Sequence, residues 1–171
     1  YHPSYNELTN HKITFTVTST QNGVCAPAQA VIDANIYPTP HITFTGDLLK
    51  GCKPLTVKFT SVTDAGSGAT YEWDFGDPAS GSNNNSNDAN PTHTYNDSGL
   101  YTVYVKVITV NGCFNTYRIL NYIEVFPYPV AQFKADPART TVALPKIKFY
   151  NESRGNEPMT YFWNYGDLSP V

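Results

Sequence analysis

Apolar and polar residues alternate along several short stretches of this 171-residue chain. Leu55, Val57 and Phe59 fall on one side, and Thr56, Lys58 and Thr60 on the other. Tyr71, Trp73 and Phe75 alternate with Glu72 and Asp74, and Tyr101, Val103, Val105 and Val107 mark a longer segment. Residues 114–126 read as a last strand, with Ile123 and Val125 inward. A two-residue period sends successive side chains to opposite faces, so each stretch predicts a strand with one buried face. No comparable stretch has the 3.6-residue period of a helix. About seven such strands within residues 39–127 predict a β-sandwich, with Phe59 or Val57 packed against Val103 or Val105.

The pattern repeats. "ITFTVTSTQNGVC" (13–25) is similar to "YTVYVKVITVNGC" (101–113), 88 residues on, and "PHITFTGD" (40–47) to "PVAQFKAD" (129–136), 89 on. "PLTVKF" (54–59) is similar to "PKIKF" (145–149), and "YEWDFGD" (71–77) to "YFWNYGD" (161–167), each placing its aromatic 90 residues on. Four segments sharing nearly one period predict a tandem array. Residues 1–38 read as the C-terminal part of one unit, 39–127 as a complete unit, and 128–171 as the N-terminal half of a further one. The boundaries fall at "YPTP" (37–40) and "PYP" (127–129). Proline there removes backbone donors and stiffens the chain, so the linkers are short and semi-rigid.

Composition agrees with strands: 13 tyrosines and a single methionine accompany recurrent threonine and valine. Hydrophobic residues, 40% of the total, suffice for a core, while charged residues are sparse at 15%. The net charge of −3 includes no basic patch, which argues against nucleic acid as a partner. No apolar run is long enough for a transmembrane helix. The chain opens at Tyr1 with polar residues, without an initiating methionine or a signal peptide, and reads as a fragment of something longer. Cys25, Cys52 and Cys113 are spaced unlike zinc ligands, and a charge-poor chain rich in Tyr, Thr and Asn suits an extracellular setting that permits disulfides.

The stretch Tyr71–Asp77 contains Asp-Phe-Gly, the letters of a kinase magnesium motif. The chain has no glycine-rich phosphate loop and no His-Arg-Asp, so a phosphoryl-transfer reading fails. As scaffold, Trp73 and Phe75 fill the core, Gly76 supplies a backbone angle that other residues resist, and Asp77 caps the following turn. Residues 78–91 read as a polar loop leading to an edge strand, 92–95. Tyr101, with Gly99 turning the chain, suits the tyrosine corner of an immunoglobulin-like sandwich, and Trp73 its third-strand core tryptophan.

At these residues the chain resembles the PKD domain family. Trp73, Asp74, Phe75, Gly76, Asp77, Pro91, His93, Tyr95, Gly99, Tyr101 and Val103 all match that pattern. Pro78 stands where the family has glycine, so the turn differs locally; Trp163, Gly166 and Asp167 carry a looser copy with Asn164 and Tyr165 substituted. The resemblance implies an all-β chain of tandem immunoglobulin-like (PKD-type) sandwiches, one complete and two partial. The phrases "GCKPLTVKF" and "NGCFNTY" look like PKD units of Bacteroidota cell-surface proteins. Val142 at the position of Cys52 looks like the unit that precedes a sorting domain for type IX secretion. The implied protein is an extracellular adhesin at the cell surface, of the gliding type.

Among site candidates, Asp74, Asp77 and Asp88, with Asp97, could hold calcium, as some PKD domains do. The loop lacks the order of an EF-hand, so turn capping and Asx-turns are the default reading and no metal site is assigned. His93 reads as a structural histidine of an edge strand, and His2, His11 and His41 form no spacing pattern with it. Asn84, Asn96 and Asn151 lie in glycosylation sequons that a bacterial protein would carry incidentally. Tyr104, Tyr122 and Tyr128 could form an exposed face for a carbohydrate or protein, or simply decorate the surface. In this topology Cys52 lies in the first turn, at one end, and Cys113 at the other, so no bridge within the unit is expected. Cys25 would pair elsewhere or stay free. No catalytic constellation and no cofactor emerge.

Two functions follow. One is a non-catalytic adhesin segment, its units acting as rigid spacers and interaction modules. Its partners would be neighbouring repeats, type IX secretion or outer-membrane components, and surface polysaccharide or protein. The alternative is an accessory region of a secreted hydrolase, a protease or polysaccharide-degrading enzyme.

Overall fold

A computed structural model describes residues 11–19, 27–143, 146–156 and 158–166. Cys25, Asp167 and His2 lie outside the described residues. The alternating stretches form strands in chain order: β1 (Lys12–Ser19), β2 (Ala28–Asn35), β3 (Ile42–Gly46), β4 (Lys50–Cys52), β5 (Leu55–Thr63), β6 (Thr70–Asp74), β7 (Asn85–Ser86), β8 (Thr92–Tyr95), β9 (Gly99–Ile108), β10 (Phe114–Phe126), β11 (Phe133–Asp136) and β12 (Lys148–Asn151). Strands β3 to β10 make two sheets, ordered β4-β10-β9-β6-β7 and β3-β5-β8. Strand β4 runs parallel to the end of β10, and the remaining pairs are antiparallel. The chain is all-β, consistent with an immunoglobulin-like sandwich.

The two sheets close on one core. Ile42, Phe44, Leu55, Val57, Phe59, Trp73, Phe75, Tyr95, Tyr101, Val103, Val105, Val107, Ile123 and Val125 form a single buried cluster, all of it between residues 42 and 125. Alternation explains the membership: each of β5, β6 and β9 contributes every second residue and leaves its polar residues outside. Burial of this apolar surface is the main stabilising contribution.

Strand β10 keeps its register by a bulge. Pairing with β9 shifts between Ile119 and Ile123, where Asn121 adopts φ 50° and its N–H reaches Thr102 Oγ1 at 3.1 Å. Asparagine tolerates this left-handed angle better than most residues. The extra residues return Ile123 and Val125 to the core and swing Tyr122 across, so that its hydroxyl accepts the Gly46 N–H at 2.9 Å. Tyr122 packs edge-on against Phe44 at 5.5 Å. It serves the fold and is unlike the exposed Tyr128, which the sequence reading grouped with it.

Two expectations need correction. Residues 78–91 are not simply a loop: Pro78–Asn84 form a 3-10 turn and Asn85–Ser86 add a short edge strand to Trp73–Asp74. Asn84 and Pro78 shape the turn, the first by side-chain bonds and the second by its fixed φ. Cys52 sits in β4, with Phe126 as register partner, rather than in a turn.

On either side lie smaller pieces. Strands β1 and β2 pair over eight residues, from Lys12↔Asn35 to Ser19↔Ala28. Strands β11 and β12 pair from Phe133↔Asn151 to Asp136↔Lys148.

Candidate functional site

The Tyr71–Asp77 stretch leaves β6 and turns sharply at Gly76. Gly76 has φ +72°, and a Cβ built there would lie 2.3 Å from Thr102 O of the central strand β9. Only glycine fits so close an approach at that angle. Asp74 Oδ1 accepts the Gly76 N–H at 2.8 Å and the Asn84 Nδ2–H at 3.0 Å. Asn84 Oδ1 in turn accepts the Asp77 N–H at 2.6 Å. Trp73 donates its indole N–H to Asp88 O at 2.9 Å, tying the 3-10 segment and its exit to the core.

Asp77 is buried, and its side chain caps nothing. The turn instead uses its backbone: Asp77 O accepts Ser80 N–H and Ser80 Oγ–H. The carboxylate faces His93, with Oδ2 and Nε2 3.1 Å apart and both side chains almost fully enclosed. This corrects the capping expectation; the physical reason is that a buried carboxylate needs a hydrogen-bond partner, and His93 on β8 is the one in reach. His93 lies flat on Phe75 at 4.5 Å and meets Tyr95 edge-on at 4.5 Å. Tyr95 donates to Phe75 O at 3.1 Å, and burial pushes its hydroxyl well above the usual phenol range. Tyr101 donates to Asp97 O at 2.7 Å, four residues back, in the geometry of a tyrosine corner. Gly99 opens β9 beside the Tyr101 ring.

Asp74, Asp77 and Asp88, the calcium candidates, each take part in bonds within the chain. Asp74 is spent on Gly76 and Asn84, Asp77 on His93, and Asp88 contributes its backbone carbonyl to Trp73. Among the described residues no three His, Cys, Asp or Glu side chains gather to hold a metal. An enclosed His–Asp pair resembles part of a hydrolytic triad. His93 is 4% exposed and packed by Phe75 and Tyr95, and its contact with Asp77 anchors β8 to the turn.

The motif of residues 71–77, its histidine and its two tyrosines therefore form one welded cluster. A family model described as PKD domain matches residues 37–125, more than half of the chain. The chain belongs to the PKD domain family. PKD domains are a common extracellular module, and the matched span encloses the whole buried cluster described above. Among the described residues no helix is long and apolar enough to cross a membrane.

Beyond the PKD match the same geometry recurs. Phe133, Phe149, Trp163 and Tyr165 stand as Phe44, Phe59, Trp73 and Phe75 do. The centroid distances are 5.6 Å for Phe133–Trp163 against 5.2 Å for Phe44–Trp73. The Trp163–Tyr165 rings stack at 17° and the Trp73–Phe75 rings at 20°. Gly166 has φ +76° and donates to Asn164 Oδ1 at 2.8 Å, as Gly76 does to Asp74. Asparagine thus serves where the motif has aspartate, since only a side-chain acceptor is needed.

Sequence reasoning missed Asn84, noticed only as a sequon, although it bridges Asp74 and Asp77. The adjacent run Asn83–Asn85 was a signal of turn chemistry. It also missed Asn115, whose Nδ2 donates to Pro40 O at 2.8 Å and holds the entry linker to the head of the sandwich.

Proposed function

We propose that this chain is a non-catalytic repeat segment of a large secreted cell-surface adhesin of the gliding type, exported by type IX secretion. Its PKD units act as rigid spacers that hold a distal binding region away from the cell. The observation that carries the reading is the recurrence of one aromatic quartet, Phe44/Phe59/Trp73/Phe75 and Phe133/Phe149/Trp163/Tyr165, within a single short chain. It supports residues 39–127 as one complete unit and 128–171 as part of the next, and the sequence match of 13–25 to 101–113 supports residues 1–38 as part of the one before. The motif side chains are consumed by internal bonds, which suits scaffolding better than chemistry. Proline-bracketed linkers limit bending between units. Neighbouring repeats are then the first partners, with outer-membrane secretion components and surface polysaccharide or protein beyond them.

The test is the intact mass and peptide map of the native protein, with surface labelling of the cells that make it. Many PKD repeats on a surface-labelled chain are expected. A compact product with a hydrolase domain attached would overturn the adhesin reading and make these units enzyme accessories.

A further inference from the structure

Two thiols stand free at opposite ends of the complete unit. Cys113 immediately precedes β10, and Cys52 is the register partner of Phe126, the last residue of β10. A thirteen-residue strand separates them by roughly 40 Å. Bridged α-carbons lie within about 7 Å, so the two cannot bond to each other.

Each thiol faces a linker. Cys113 Sγ lies 3.6 Å from Tyr37 O, at the entry to the unit, beside the Asn115–Pro40 bond. Cys52 is exposed at the exit, lining a cleft of about 400 Å³ with Phe126, Pro127 and Pro129. Next to it, Lys53 N–H donates to Phe126 O at 2.9 Å. Entry and exit are themselves equivalent. Tyr37-Pro38-Thr39-Pro40 aligns with Phe126-Pro127-Tyr128-Pro129, 89 residues on, in the same frame as the match of 40–47 to 129–136. Tyr37, which holds the head thiol of this unit, therefore corresponds to Phe126, which flanks its tail thiol. A following unit that repeats the head contact sets its own Cys113-type thiol against Phe126 O. Register partners on adjacent strands have α-carbons about 5 Å apart, so both thiols then converge on one residue.

We propose that Cys52 and Cys113 are the two halves of a disulfide staple between successive units. Cys52 bonds to the Cys113-type residue of the unit that follows, and Cys113 to the Cys52-type residue of the unit before. The proposal rests on the repeat reading above. Cys25, 88 residues before Cys113, is the head thiol of the preceding unit by the same period. Val142, 90 residues after Cys52, supplies no thiol, so the series stops at the exit of that unit. Closing each staple removes two protons and two electrons from two thiols. They pass to a disulfide oxidant, a thiol–disulfide exchange protein of the oxidising compartment, which leaves as two thiols.

The test uses the native protein. Free thiols are alkylated with iodoacetamide, the chain is digested without reduction, and linked peptides are identified by mass spectrometry. The expected product joins the Cys52 peptide to a Cys113-type peptide of a different unit, and reduction separates the two. A native chain with further units whose Cys52 peptide is alkylated, or linked to Cys113 of its own unit, overturns the staple and leaves the repeat reading standing. A native chain with no further unit overturns both.

Discussion

Replacing Gly76 by alanine separates a steric requirement from a merely conformational one. Gly66 and Gly76 both hold left-handed angles, φ +78° and +72°. Around Gly66 a Cβ would meet nothing within 4 Å, whereas at Gly76 it would meet Thr102 O at 2.3 Å. The left-handed angle alone costs a residue with a Cβ about 1–2 kcal/mol. Gly66→Ala should lose that and no more. At Gly76 the carbonyl of β9 must retreat by roughly 0.7 Å to reach even a tight contact, and β9 is hydrogen-bonded on both sides, to β10 and β6. Forcing atoms into so close-packed a place costs a further 1–3 kcal/mol or so. Gly76→Ala should thus lose about 2–5 kcal/mol, a large part of a stability on the order of 5–15 kcal/mol. Urea titration followed by near-ultraviolet circular dichroism measures both variants in the full chain. At about 4 °C or more per kcal/mol, the thermal midpoints should also separate clearly. Equal losses in the two variants would refute the claim that the close approach to Thr102 decides the residue.

Other parts of the cluster make distinct predictions. Asp77→Ala leaves His93 enclosed without its partner and should cost about 3 kcal/mol, while the double change with His93→Phe should recover part of it; a simple sum of the two single losses in urea titrations would refute their pairing. Tyr95→Phe removes the bond to Phe75 O and should cost about 1 kcal/mol at neutral pH. Because burial raises the Tyr95 hydroxyl above its usual value of 10.0, the unfolded chain gives up that proton first. Stability should therefore fall as pH climbs beyond about 10, and Tyr95→Phe should flatten the fall; an unchanged alkaline slope would count against it. In the isolated chain of residues 1–171, Cys52 and Cys113 should not bond to each other after exposure to oxidised glutathione, each remaining a thiol or a mixed disulfide with glutathione by mass, and a Cys52–Cys113 link within one chain would contradict their placement at opposite ends.

Alternation made the strands legible, because burial on one face of a sheet leaves a two-residue signature in any sequence. Leu55/Val57/Phe59 and Tyr101/Val103/Val105/Val107 are the clear cases, and both strands bury those residues. The aromatic spacing likewise announced where the core would sit. Partnerships formed across long sequence separations were less legible. Nothing local distinguishes an Asp77 that caps a turn from one that meets a histidine sixteen residues on. The choice depends on how β8 packs over the turn, and that is decided by the whole sandwich. The bulge at Asn121 is similarly silent, since it arises where Thr102 and Gly46 reach over from other strands. The carboxylates of Asp74 and Asp77, grouped in sequence, are engaged by donors and a histidine that only the folded chain brings to them.

The staple also predicts how an array of such units would answer to force. Unfolding an ordinary unit of residues 39–127 releases its whole contour, about 300 Å at roughly 3.4 Å per residue. With staples closed, the shortest covalent route takes another course. It enters at Cys113, runs along β10, through the linker and the first strands of the next unit, and leaves by the Cys52-type position. In this sequence a route with a thiol at both ends spans Cys25 to Cys52, 27 residues, or about 90 Å fully extended. It crosses two units, whose folded length is about 80 Å if each is as long as β10. Residues 53–112, which include β5 to β9, lie on a side branch and cannot be drawn out while the staples hold. A native array pulled from its ends in a force microscope should therefore extend by no more than tens of ångströms per pair of units when oxidised. After treatment with a thiol reductant it should show steps of about 300 Å per unit. Full-length steps in the oxidised state would refute the staple, because a closed junction leaves no covalent slack to supply them.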